Sequence, residues 1–576
     1  EYRFEIGGYA EFSEGNEFRP TYNWGAASNN TASLTSRTNS FYSLNIKNLL
    51  TYKTEIGKHS FNILAGQEAN EGNWKGLAVT GIGFFDNSLP ELPVAAELQK
   101  VEPGFAYSGS QRLYSLFGKA VYDYGGRYSI SGSIRADGSS KFAKGNKWGY
   151  FPAISGSWKL SNEEFMQDFN AVKNIKVRAG YGETGNQQIA NNLYAPALTL
   201  VQSPLGAGFQ LSRSPNPELT WESQKQINIG LDFSLFNSGL NASIDVYKKT
   251  SKDFLYQIPL PLFLTGSGDG GGVASAFGNI GTLENKGIEM SVNYSTKLDS
   301  GFSWNSTLVV SKYVNKLVEI SNSSLLIKYA LINDYTRKPI TKTLVGGPIG
   351  TFYGLNSLGI YTSDADASAG PKNGFGASPV DFIAGDMKYA DNNNDGVINE
   401  LDYTTIGDPN PDFTFGFTNN FAYKNFDFSV FLQGSVGNDL FNLTRRAGTS
   451  NSNLYQNQFA SALDFYSPSN LDASLPRPTS YDHPNLIFSD RFVEDGSYLR
   501  VQNITVGYTL PTDIISQAKL TRLKLYASVQ NLYTFTKYTG YDPEVGSFNQ
   551  DALLSGVDNG RYPTPRVISV GVNVEF

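Results

Sequence analysis

Residues 564–576 read TPRVISVGVNVEF, and in them Ile568, Val570, Val572, Val574 and Phe576 alternate with Ser569, Gly571, Asn573 and Glu575. A strand sends successive side chains to opposite faces, so this stretch builds one apolar face and one small or polar face. In a water-soluble sandwich the apolar face points at a second sheet. In a transmembrane barrel it points at lipid, and the polar face lines a wet interior.

The same period of two recurs along the chain. Ile227, Ile229, Leu231, Phe233 and Leu235 alternate with polar or small residues, as do Leu240, Ala242, Ile244 and Val246. So do Ile288, Met290, Val292 and Tyr294; Phe413, Phe415 and Phe417; Phe426, Phe428, Val430 and Leu432; Ile504, Val506, Tyr508 and Leu510; and Leu523, Leu525, Ala527 and Val529. Earlier strands are expected at the start of the chain (EYRFEIGGYAEF) and near 40–56, 60–70, 109–124, 127–138, 147–160 and 174–183. A soluble β-sandwich or propeller is the alternative. It is disfavoured because so many strands share one apolar face and no repeat of propeller length is present.

No run of about 18 apolar residues occurs, so no transmembrane helix is expected. Backbone polar groups in a bilayer need internal partners, so a spanning chain of this kind has to be a closed β-barrel. The 58 Gly, 34 Tyr and 38 Phe supply turns and aromatic girdles. The absence of Cys and the presence of only two His exclude a disulfide framework and leave little room for His-based catalysis. A net charge of −7 argues against a nucleic-acid partner.

Connections alternate between short and long. Short ones are Gly57–Lys58, Gly125–Gly126, Asn237–Gly239, Asp299–Gly301 and Lys424–Asn425; long ones are 13–39, 71–108, 184–220, 259–282, 439–496 and 536–563. Brief helices are expected at 162–173 and 512–520. Outer-membrane barrels put short turns in the periplasm and long loops outside. The alternation holds if 315–411 is one large extracellular loop, which rejects 350–362 as a membrane strand despite its pattern. The result is an all-β, antiparallel transmembrane β-barrel portion of about 16 strands.

Several segments, in order, resemble the SusC/RagA family of TonB-dependent outer-membrane transporters. They are Asn285–Glu289, Gly385–Asp402, Gly407–Phe417, Gly434–Asn438, Glu494–Arg500, Asn531–Glu544 and Tyr562–Arg566. The terminal Phe576 likewise resembles the closing residue of outer-membrane barrels. The resemblance implies a barrel of about 22 strands, located in the outer membrane of a Gram-negative bacterium, with six strands upstream. It also implies an upstream plug-bearing portion, contact with the TonB complex through a missing N-terminal part, and a SusD-like surface lipoprotein as lid. The implied function is active import of a glycan or peptide ligand, without covalent chemistry; a passive pore or structural barrel is the alternative. Because Glu1 already lies inside an alternating strand, residue 1 is expected not to be the start of the gene product.

The sharpest local motif is DNNNDGVINELD at 391–402. Asp391, Asn393 and Asp395 stand at positions 1, 3 and 5, Gly396 at 6, the Val397 carbonyl at 7, Asn399 at 9 and Asp402 at 12. This is the spacing of an EF-hand calcium loop with Asp as the last ligand. It predicts a structural Ca2+, against an Asx-rich turn closed by its own hydrogen bonds. Gly180-Tyr-Gly182-Glu-Thr-Gly185 matches a dinucleotide fingerprint only formally, since a polar loop follows where a helix is required. His59 and the neighbours Asp482 and His483 read as surface residues. Asp542 and Glu544 read as part of a loop motif rather than as a glycosidase pair. Phe263, Phe277, Tyr335, Tyr353, Tyr361, Tyr455, Phe465, Tyr466, Tyr538 and Tyr541 are candidate ligand contacts, weighed against packing between loops.

Overall fold

The computed structural model describes all residues except 26, 101–105, 167–171, 204–205, 237–238, 258–272, 274–275, 321–326, 330–338, 451–456 and 480–482. Sixteen long strands carry the fold. They are β1 (Tyr2–Arg19), β2 (Ser33–Ile56), β3 (His59–Ile82), β4 (Ala106–Tyr124), β5 (Tyr128–Ser139), β6 (Trp148–Lys159), β7 (Val172–Asn186) and β8 (Glu222–Leu235). They continue as β9 (Leu240–Lys252), β10 (Gly281–Lys297), β11 (Phe302–Ile320), β12 (Phe413–Tyr423), β13 (Phe426–Val436), β14 (Tyr498–Thr509), β15 (Arg522–Thr536) and β16 (Val567–Glu575). All sixteen belong to one hydrogen-bonded sheet, which also takes in the short strand Glu97–Lys100. By contacts the chain divides into two compact units: Glu1–Trp158 with Ala179–Gln226 and Ser251–Ile280, and the remainder.

In the second unit the register sorts side chains by polarity. Trp304, Phe421, Phe428, Val506, Ala527 and Val570 lie opposite one another from β11 to β16. One residue along, Asn305, Asn420, Ser429, Thr505, Ser528 and Ser569 form a wholly polar row. A slip of one residue would interchange the two faces, so the alternation fixes the pairing. The apolar row stays uncovered: Val570 is 82% exposed. Toward the short turns the row is aromatic, with Trp304 stacked on Phe421 at 6.0 Å and Phe421 on Phe428 at 6.0 Å. Trp304 Nε1 donates to Asn419 Oδ1 at 3.0 Å, giving the ring one apolar and one polar end.

The first unit repeats this pattern. His59, Tyr124, Tyr128 and Trp158 face one another beside the short turns of β2–β3 and β4–β5. Gly57, Gly125 and Gly126 take φ of +60°, +59° and +64° there, which glycine adopts without strain. Ten residues further along β4, Tyr114 meets Trp148 edge-on. Ile63, Leu116, Ile130, Ile134 and Ile154 are exposed between the two aromatic rows. Ten residues at about 3.4 Å each, tilted by roughly 40°, span about 26 Å, the height of an outer-membrane apolar band. The chain exposes 33103 Å², against about 20,000 Å² for a compact soluble monomer of its mass.

An arginine placed on the apolar face near mid-height should therefore be costly. Ile504→Arg is expected to destabilise the membrane-inserted protein by about 2–4 kcal/mol, and Ser569→Arg, on the polar face, by under about 1 kcal/mol. Urea titration of the full-length protein in phospholipid vesicles measures both; equal losses would refute the facial assignment.

Strand ends differ from the sequence expectation. β1 runs to Arg19, β2 begins at Ser33, β3 reaches Ile82 and β11 reaches Ile320. Beyond the apolar band nothing selects for alternation, but the backbone ladder needs none and continues. Thr351–Gly354 and Ser357–Ile360 are strands of small separate sheets. The 512–520 segment is helical at Thr512–Ile515 and Ser516–Ala518. In 162–173, the described part from Glu164 to Met166 is a single 3-10 turn, and β7 has begun by Val172.

Candidate functional site in the long connections

The described residues of three long connections of the second unit, 321–412, 437–497 and 537–566, fold into each other. Pro339–Lys342, Thr351–Gly354 and Thr404–Gly407 pair within the first connection. Asp439–Asn442 and Val493–Asp495 of the second are joined by Val557–Asp558 of the third. The apolar core follows the same logic: Ile340 and Phe352, then Phe441, Leu443, Phe488 and Phe492, then Leu554 and Val557 form one cluster. The Phe441 ring is fully buried and meets Phe352 at 5.6 Å and Phe488 at 5.5 Å, edge to face. A second cluster gathers Leu355, Tyr361, Phe382, Met387, Tyr389, Ile398, Tyr403 and Ile487. The connections thus have cores of their own, unlike simple surface loops.

Buried polar nodes tie the connections to the strands. Arg500 at the start of β14 is buried. Its guanidinium holds Asp542, donates to Glu544 Oε2 at 2.8 Å and reaches Thr534 Oγ1 at 2.9 Å. Asp542 also accepts the backbone N–H groups of Glu544 and Thr564, at 3.0 and 3.1 Å. Burial works against the Asp542 carboxylate, but those N–H groups and the arginine outweigh it and hold its pKa below the ordinary range. Glu494 accepts both the N–H and the hydroxyl of Thr539 at 2.8 Å and takes Arg445 Nη1 at 3.2 Å. The Tyr538 hydroxyl donates to Asp558, and burial, then that bond, pushes its pKa up. Burial pushes Arg491 down to about 10. Arg500, Glu494, Asp542, Glu544 and Thr564 all stand in segments singled out in the sequence, but nothing there revealed that they meet. The close pair Asp542 and Glu544 is bridged by an arginine, the arrangement of a structural clamp rather than of an acid–base pair.

The 391–402 turn is closed by hydrogen bonds. Asp391 accepts from the N–H groups of Asp395 and Gly396, at 3.2 and 2.8 Å, and Asn393 Oδ1 from Asp395 N–H at 3.0 Å. Asp395 Oδ1 accepts from Val397 N–H at 2.8 Å. Asn394 and Gly396 take φ of +58° and +80° to turn the chain. Asn399 caps the short helix Glu400–Asp402 by accepting from Leu401 N–H. Asp402 is fully buried and accepts from Asn392 N–H at 2.9 Å and Asn399 N–H at 2.8 Å. The oxygens of Asp391, Asn393 and Asp395 therefore lie on one turn and suit a hard cation. Asp402 accepts backbone amides as those three do, but it is fully buried, which suits it as a ligand less well.

Among the described residues, most candidate aromatic contacts are packing residues. Tyr361 is fully buried, Tyr353 packs edge-on against Tyr403 at 5.6 Å, Tyr538 is buried, and Tyr466 donates to Thr362 O at 3.0 Å. Phe277 packs against the Phe142–Leu219–Trp221 cluster of the first unit. Phe465 is partly buried, and Tyr541 is 61% exposed. Phe263, Tyr335, Tyr455 and Asp482 lie outside the described residues. His59 Nδ1 sits 2.8 Å from the Tyr122 hydroxyl, within the aromatic row. His483 Nδ1 accepts from Asn485 N–H at 3.2 Å, and its Nε2 lies 3.2 Å from Arg477, which also binds Asp386. Gly180, Gly182 and Gly185 lie inside strand β7.

Residues 2–532 match the family model described as TonB dependent receptor-like, beta-barrel. TonB-dependent receptor P3 of Formosa agariphila is 33% identical over 541 residues, which is 92% of this chain and 52% of that protein. TonB-dependent receptor SusC of Bacteroides thetaiotaomicron is 29% identical over 547 residues, covering 93% of this chain and 50% of that protein. Among solved structures, the RagAB peptide transporter superposes with a TM-score of 0.81 at 22% identity, over 100% of this chain and 60% of that one. The chain spans about half the length of the curated relatives it matches.

Proposed function

We propose, because this chain belongs to the TonB-dependent receptor β-barrel family, that it forms the wall and surface loops of an importer of oligosaccharides or oligopeptides. The family is an outer-membrane one, and its members are receptors and transporters rather than enzymes. The family match over residues 2–532 carries the reading. Likeness to SusC and to the RagAB peptide transporter supports it and leaves glycan and peptide both open. On this reading the co-folded connections, with 315–411 among them, stand outside the cell and dock a SusD-like lipoprotein. Ligand is captured between the two, and an upstream plug moved by TonB opens the path. Tyr541, exposed on the connections, is available to stack on ligand. No bond is made or broken by this chain.

The experiment is mass spectrometry of everything that co-purifies with the full-length protein from detergent-solubilised membranes, paired with ligand uptake in cells with and without TonB. A co-purifying surface lipoprotein and TonB-dependent uptake are expected. Uptake that persists without TonB would establish the passive pore instead.

We further propose that the 391–402 turn binds Ca2+ in a structural role. Asp391, Asn393 and Asp395 would supply side-chain oxygens and Val397 its carbonyl, with Asn399 and Asp402 completing the set only if they turn. Ca2+ is expected to raise the thermal stability of the wild type and protect the loop from protease, and Asp395→Ala to abolish that response. Asp402→Ala should cost about 1–3 kcal/mol with or without the ion, because buried amides lose their acceptor. Identical melting in Ca2+ and in chelator would leave only the self-bonded turn.

A further inference from the structure

In the first unit, the outward row just beyond the Tyr114–Trp148 girdle is charged. Arg112 and Glu71 face each other on β4 and β3, and Arg112 Nη2 donates to Glu71 Oε1 at 2.9 Å. Leu44, level with Glu71, and Ile46, Tyr114 and Trp148 one row below line a groove of about 460 Å³ whose lining also includes Arg112 and Lys147. That volume is in the range of ligand clefts. Gly138 shapes the groove: the Trp148 ring lies against it where any other residue would carry a side chain, and Tyr114 meets that ring edge-on at 6.2 Å. The β5–β6 connection, SKFAKGNK at 140–147, adds three lysines and no acid. Lys141 is turned to the Gln187 carbonyl at 3.2 Å, while Lys144 and Lys147 are exposed.

An apolar floor at girdle height with cations immediately beyond it matches one kind of occupant. Acyl chains fit the floor, and a phosphate fits arginine and lysine. Long connections of outer-membrane barrels face outward, so the charged row meets the outer leaflet. We propose that this groove holds one phosphorylated, acylated lipid of the outer leaflet. Its acyl chain lies against Leu44, Ile46, Tyr114 and Trp148, and its phosphate lies on Arg112 and Lys147. Free phosphate would leave the apolar half empty, and a neutral lipid would leave Arg112 to Glu71 alone and give Lys147 no counter-charge. Glu71 competes with the phosphate for Arg112 and so sets the affinity. The inference needs the outer-membrane location and the strand register, and is independent of what the protein imports.

The test uses full-length protein, stripped of lipid in a non-ionic detergent. It is titrated with diphosphorylated lipid A, with the same lipid dephosphorylated, and with inorganic phosphate; bound molecules are counted by native mass spectrometry. The phosphorylated lipid alone should bind well. The Arg112→Glu/Lys147→Glu double variant should weaken it roughly tenfold or more, Arg112→Lys should retain most of it, and Glu71→Gln should tighten it. Lys424→Glu, at the β12–β13 turn, should change nothing. The proposal fails if the dephosphorylated lipid binds equally well, if phosphate alone suffices, or if neither Glu71→Gln nor the double variant alters affinity.

Discussion

Replacing Arg500 with alanine should release the long connections of the second unit while the wall strands stay paired. The guanidinium is buried against Asp542, with side-chain exposures of 3% and 5%. Removing it leaves a buried carboxylate without its counter-charge, a change that costs about 3–5 kcal/mol. The loss should be local, because Arg500 anchors 537–566 through Asp542 and Glu544, whereas the β14 ladder to β13 and β15 is backbone. Limited proteolysis should cut the connections early, with heat-resistant barrel migration on gels retained. Arg500→Met/Asp542→Leu should lose much less than Arg500→Ala, since neither charge is then stranded. Acid titration gives an independent readout. The folded-state pKa of Asp542 is depressed, so its contribution is present above the unfolded value of about 3.9 and is lost as pH falls through the folded value. Wild-type connections should therefore hold to below about pH 4, and Arg500→Ala should move the transition upward. An unchanged cleavage pattern and acid midpoint would remove Arg500 from this role.

The second large effect is expected at Phe441. Its ring is fully buried where the three connections meet, against Phe352, Phe488 and Phe492. Truncation to alanine leaves a cavity in a closed core and should cost about 3–5 kcal/mol; Phe441→Leu, closer in volume, should cost under about 2 kcal/mol. The informative outcome is its spread. Because Ile340, Phe441 and Leu554 come from different connections but share one cluster, all three connections should become protease-sensitive together. Cleavage confined to 437–497 would mean that the connections fold independently.

What the sequence determined by itself was the wall. Alternation such as Ile568-Ser569-Val570-Gly571 fixes which face each residue takes, and a slip would expose Ser569 to lipid and bury Val570. Strand number and the short turns follow from the same local rule, which acts between neighbours and needs no knowledge of distant partners. The rule falls silent where lipid no longer selects residues, which is why β3 runs on to Ile82 unannounced. Of the candidate sites, the 391–402 spacing was legible because all its candidate ligands fall in one short stretch of chain. The Arg500–Asp542–Glu544 clamp was visible only as fragments of a resemblance, because Arg500 stands more than forty residues from both carboxylates. The same holds for Tyr361, for which the sequence leaves ligand contact and packing both open, with packing favoured, and which is buried core in the fold. Only the tertiary structure decided these roles: a loop side chain is committed by whichever distant segment packs over it, and burial there depends on several chain segments meeting at once.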